Sequence, residues 1–123
     1  DLAPYKIGCD QRYAKTFLER CGEYSFETEM IAQGRALSNA MKLTEAELKS
    51  RAVNYGGNPI DKWCLENVCC AVDNVGNIQP IKIPGQPSKR IDGALTFIML
   101  YEVYRRYRTD FRTIIGGENE LDR

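Results

Sequence analysis

Tyr5-Lys6-Ile7-Gly8-Cys9-Asp10, then Gln11 to Tyr24 (QRYAKTFLERCGEY), then Phe26 to Ala32 (FETEMIA) is the stretch that decides the fold. The first run is short, apolar and β-compatible, and it ends on an aspartate. The second places Tyr13, Phe17, Leu18 and Cys21 at helical spacing, with Gly22 as its expected stop. The third alternates as a strand does and is closed by Gln33-Gly34. Strand, helix and strand within about 28 residues is the minimum for a βαβ crossover. The two strands are therefore expected to lie parallel, with a right-handed connection, in an α/β fold.

Working outward, Ala36 to Val53 reads as helical with an interruption near Leu43-Thr44. Thr44 is an expected N-cap there, and Glu47 its capping-box partner. Asn54-Tyr55-Gly56-Gly57-Asn58-Pro59 breaks the chain, and its glycines suit a turn with positive φ. Pro59 suits the first turn of a further helix to about Asn67 that carries Ile60, Trp63 and Cys64. Trp63 reads as a core anchor before a base-stacking residue. Val68–Val72 and Ile78–Ile83 flank Asp73-Asn74-Val75-Gly76-Asn77 as a hairpin. After the loop Pro84-Gly85-Gln86-Pro87, Ser88 is the expected N-cap of the longest helix, Lys89 to about Thr109. Its buried face would be Ile91, Ala94, Leu95, Ile98, Met99 and Val103. The domain is expected over 1–115, and 116–123 reads as a polar tail.

The 123 residues suit one domain with a modest core. Seventeen basic and seventeen acidic residues cancel, so no overall field points to a nucleic acid or a membrane. No apolar run approaches the roughly 20 residues of a membrane-spanning helix, and the first ten residues lack the pattern of a signal peptide. Histidine is absent, which excludes Ser-His-Asp and Cys-His catalysis and any His-ligated zinc within this chain. Five cysteines without a CxxC pair argue against a closed disulfide framework and a structural zinc site. A reducing, intracellular setting is the expectation.

Two aspartates stand at informative positions. Asp10 closes the first strand, where open α/β sheets place ligands. Asp92 lies in Lys89-Arg90-Ile91-Asp92-Gly93, at the start of the last helix. Folding that brought them together would make an oxygen site for Mg²⁺ or Mn²⁺. The plainer alternative is that Asp10 caps the next helix and Asp92 only complements a helix dipole. Between Lys82 and Arg112 the seven bases Lys82, Lys89, Arg90, Arg105, Arg106, Arg108 and Arg112 face only Asp92, Glu102 and Asp110. Lys89 and Arg90 could hold phosphate beside a metal. Tyr101, Tyr104 and Tyr107 interleave with Arg105, Arg106 and Arg108, as at nucleic-acid surfaces, although a solvated helix end with boundary tyrosines is the commoner arrangement. The glycine-rich loop lacks GxxxxGK[ST], so no NTPase is indicated.

The order of these pieces resembles the C-terminal nuclease domain of the large terminase subunit of tailed bacteriophages. The pieces are Ile7-Gly8-Cys9-Asp10-Gln11-Arg12, Gln33-Gly34, Gly56-Gly57-Asn58-Pro59, Trp63, Asn67-Val68, the hairpin with Asp73 and Gly76-Asn77-Ile78, and Lys89-Arg90-Ile91-Asp92-Gly93. The resemblance covers about residues 5 to 111 and implies an RNase H-like fold. It also implies a metal-dependent endonuclease that cuts concatemeric double-stranded DNA during genome packaging in the host bacterial cytoplasm. The implied cofactors are two Mg²⁺ or Mn²⁺ ions with Asp10 and Asp92 among their ligands. The implied DNA contacts are Lys82, Lys89, Arg90, Arg105 and Arg106, and the parent would meet portal and small terminase subunits. Tyr55 stands where the family commonly has histidine. The family's first catalytic aspartate would lie upstream, so this chain alone is expected to bind metal weakly and cut little. Its first strand would then leave an edge open to a second copy. Another RNase H-like nuclease or resolvase, or a non-catalytic interaction module, are the competing readings.

Overall fold

A parallel pair, β1 (Ile7–Cys9) and β2 (Thr28–Met30), is joined by α1 (Lys15–Glu23). Ile7 lies opposite Thr28, Gly8 opposite Glu29 and Cys9 opposite Met30, which is the expected crossover. The computed structural model describes residues 4–10, 12 and 14–121, with side chains up to 116. Gln11 and Tyr13, which entered the helix and motif expectations, lie outside the described residues. Gly22 does not stop α1. The helix passes through it, and the chain reverses at Ser25, whose φ is 61°.

A 3₁₀ turn (Gly34–Leu37) leads straight into α2 (Ser38–Lys49) without the expected break. Thr44 is not an N-cap. Its buried hydroxyl donates back to the Ala40 carbonyl at 2.7 Å, the mid-helix alternative open to threonine. α3 (Pro59–Glu66) follows the glycine turn, where Gly56 and Gly57 have φ of 76° and 65°. Asn58 caps α3: its side chain accepts from the Ile60 and Asp61 amides, meeting two of the four orphan donors of a helix start. Trp63 is 38% exposed and is not a core anchor.

β3 (Val68–Val72) and β4 (Ile78–Lys82) pair antiparallel as a separate hairpin. Asp73 closes its turn by accepting from the amides of Val75 and Asn77 and from the Asn77 side chain. Burial opposes ionisation of Asp73, but these bonds and Arg35 hold its carboxyl below the ordinary range. The described residues thus form two two-stranded sheets rather than one mixed sheet.

α4 runs from Asp92 to Leu121. It starts three residues later than expected and continues through Gly116-Gly117 rather than ending near Thr109. Ser88, exposed in the preceding loop, does not cap it. Ile114 and Ile115 line a cavity with Pro4, Tyr5, Ser25 and Glu27, so the helix still meets the body of the protein well past Thr109. The core is a layer of Ile31, Leu37, Ala40, Met41, Ile98, Tyr101 and Val103 between α2 and α4. Each fully buried aliphatic side chain there contributes on the order of 1.5–3 kcal/mol. The Tyr101 hydroxyl donates to Glu47 at 2.5 Å, and burial first, then that bond, push its pKa upward. All five cysteines are free.

Candidate active site

α4 crosses β1 with opposite polarity. Tyr5, before β1, packs its ring on Tyr107 (6.4 Å between centroids) and Phe111 (5.9 Å). Gly8 meets Val103 instead. Advancing along β1 therefore means retreating along α4, and Asp10 lies toward the end of α4 that begins with Asp92. The carboxyl ends of both parallel strands and the N-terminus of α4 face the same end of the molecule.

Asp10 is not a helix cap, since α1 begins after Ala14. Its carboxylate instead accepts from the Arg12 amide at 3.1 Å and pairs with the Arg12 guanidinium at 3.5 Å, leaving the side chain about a third exposed. Asp92 is exposed, in the first turn of α4. About three helical turns separate Asp92 from Val103. Among the described residues, no group of three or more His, Cys, Asp or Glu side chains gathers as a metal cluster. Asp10 and Asp92 themselves offer carboxylate oxygen, a donor chemistry that suits Mg²⁺ or Mn²⁺.

The loop into α4 is fixed from below. The buried Asn67 side-chain amide donates to the Arg90 carbonyl at 3.0 Å, and Ile91 is buried. The next carbonyl, that of Ile91, accepts the first helical bond, from Leu95 at 2.8 Å. Beside this start lies a cavity of about 380 Å³ lined by Lys6, Gly8, Tyr55, Asp61, Gly93 and Thr96 among others. Tyr55 is thus half-buried beside the candidate site. Neither Asp10 nor Asp92 lines that cavity.

The expected DNA contacts divide in two. Lys82, Lys89 and Arg90 are exposed at the end of β4 and before α4, and pair with no acid among the described residues. Arg105 and Arg106 are committed elsewhere. Both bind the buried Glu102, Arg105 at 2.8 Å and Arg106 at 3.0 Å, and Arg106 also reaches Glu29 and the Met30 carbonyl. Tyr107 donates to Glu29 as well. This network ties α4 to β2, and sequence reading missed it because Glu102 sits among arginines on an ordinary-looking solvated face.

Burial opposes the charge of Glu102, yet the two guanidiniums hold its carboxyl below the usual 4.5. A depressed folded-state value stabilises fully above the unfolded value, and the benefit fades as pH falls through the folded one. Urea midpoints are therefore expected to drop below about pH 4.5. Glu102→Gln should lose about 1–3 kcal/mol at pH 7 and show a flatter acid limb. Equal acid limbs in the two proteins would refute the assignment.

Residues 2–107 match the terminase large subunit, endonuclease domain family. That match spans most of the chain, and the chain belongs to this family. It is also similar to Protein YmfN of Escherichia coli strain K12, 37% identical over 65 residues, which is 51% of this chain and 14% of that protein. The chain therefore spans well under two thirds of that relative. No solved structure matches. Among the described residues, no helix is long and apolar enough to cross a membrane.

Proposed function

We propose that this chain belongs to an RNase H-like nuclease that cuts concatemeric double-stranded DNA during phage genome packaging. Asp10 and Asp92 would each offer carboxylate oxygen to Mg²⁺ or Mn²⁺. The bound ions would activate water and stabilise the leaving 3′-oxygen of an in-line displacement. The chain's own contribution is placement: β1 delivers Asp10 and α4 delivers Asp92 to one end of the molecule. The opposed polarity of β1 and α4 is the observation that carries this reading, together with family membership. In the natural polypeptide, portal and small terminase subunits would be the protein partners, and the host bacterial cytoplasm the setting.

The test is cleavage of supercoiled plasmid by the natural polypeptide that contains this chain. Mn²⁺-dependent nicking that EDTA abolishes is expected; no cleavage with any divalent ion would overturn the proposal.

Lys82, Lys89 and Arg90 form the DNA-facing cations of this end. Exchanging all three for alanine is expected to weaken DNA binding and to flatten the plot of log affinity against log salt by about 2–3 units. Arg105→Ala should leave that slope unchanged, because its charge already serves Glu102. An unaltered slope in the triple variant would move the DNA path elsewhere.

A further inference from the structure

Asn67 stands far from Asp92 in sequence, yet it governs the chain just before it. It is the C-cap of α3 and the residue before β3, and its side chain is buried although it is polar. A buried amide at a helix end would ordinarily serve that helix. This one instead sends its Nδ2 donor to the Arg90 carbonyl, 3.0 Å away. Arg90 is thereby kept out of α4, whose first hydrogen bond falls on Ile91.

The following residues are held by the same helix. Ile91 is 4% exposed. A Cβ on Gly93 would lie 3.1 Å from the Asp61 carboxylate and 3.3 Å from Cys64 Sγ, so Gly93 sits directly on α3. Asp92 is thus an exposed side chain on a backbone fixed on both flanks, by Asn67 on one side and by the contact with α3 on the other. Rigid support of this kind sets the direction of a ligand, and ligand direction sets metal affinity.

We propose that Asn67 is a positioning residue for Asp92: by holding the Arg90 carbonyl it fixes where α4 begins and so where the Asp92 carboxylate points. The proposal rests on Asp92 being a metal ligand. It assigns Asn67-Val68 and Lys89-Arg90-Ile91-Asp92-Gly93 to one device.

The experiment is a Mn²⁺ titration of the full 123-residue chain, followed by paramagnetic broadening of backbone amide resonances near Asp10 and Asp92. Asn67→Ala and the isosteric Asn67→Asp, which removes the donor, are both expected to weaken apparent Mn²⁺ affinity at these amides by about 10-fold. Thr44→Val breaks a different buried side-chain bond, in α2. It should lower the melting temperature and leave the Mn²⁺ affinity unchanged, which separates positioning from stability. If one Asn67 variant does not fold, the other decides. Unchanged affinity in a folded Asn67 variant, with binding lost in Asp92→Asn, overturns the positioning role and spares the ligand. Broadening that is absent near Asp92 in the unmodified chain, or that survives Asp92→Asn, removes the ligand and the proposal with it.

Discussion

Asp92→Asn, made in the natural polypeptide that contains this chain, is expected to lower Mn²⁺-dependent plasmid cleavage by about 100-fold or more. Charge stabilisation by a bound ion supplies several kcal/mol to such reactions, and each 1.4 kcal/mol is a factor of ten in rate. Losing one anionic ligand of the proposed site therefore removes at least two such factors. The fold has little to lose. Asp92 is exposed, and its side chain makes no hydrogen bond among the described residues. Its favourable place at the start of α4 amounts to about 0.3–1 kcal/mol. The thermal midpoint should accordingly fall by only a few degrees, and DNA affinity in EDTA should hold. Cleavage within a few-fold of the unmodified protein would show that Asp92 is no ligand and that its role ends with the helix dipole.

How much of this could be read from residues alone varies with the kind of interaction. The parallel β1–β2 pair was legible because alternation, an intervening amphipathic run and short spacing leave one economical topology. The hairpin was legible because Asp73 and Gly76-Asn77 carry their own turn chemistry. Long-range choices were not. Thr44 and Glu47 satisfy a capping pattern equally well inside a helix, and burial against α4 sent the threonine hydroxyl to Ala40 and Glu47 to Tyr101. Ser88 has the chemistry of an N-cap, but α4 begins beyond it, after the Arg90 carbonyl that accepts from Asn67. The places of Asp10 after a strand and Asp92 at a helix start were legible, because strand ends and helix starts are local features. The network of Glu102, Arg105, Arg106 and Glu29 was not, since no spacing rule pairs Arg106 with a residue on β2.

Gly8→Val tests the contact on which the arrangement of the two aspartates depends. A Cβ at Gly8 would meet Val103 Cγ2 at 2.6 Å and Ile31 Cγ1 at 3.1 Å. Both neighbours are buried and β-branched, so neither can swing aside cheaply. Overpacking of this kind costs about 1–3 kcal/mol, and valine, with two further methyl groups, belongs at the upper end. The nearest relief is for β1 to lift off α4, which also loosens the Tyr5 contacts with Tyr107 and Phe111. Urea denaturation is therefore expected to show a midpoint well below that of the parent. Combining the change with Val103→Ala should recover part of the loss, a non-additivity that marks direct contact. Gly8 is two residues from Asp10, so the displaced strand should carry that carboxylate away from the start of α4. Cleavage by the natural polypeptide would then fall even at temperatures where the variant stays folded. A Gly8→Val protein as stable as its parent, within about 0.5 kcal/mol, would mean that β1 does not rest on Val103. The common end shared by Asp10 and Asp92 would lose its structural basis.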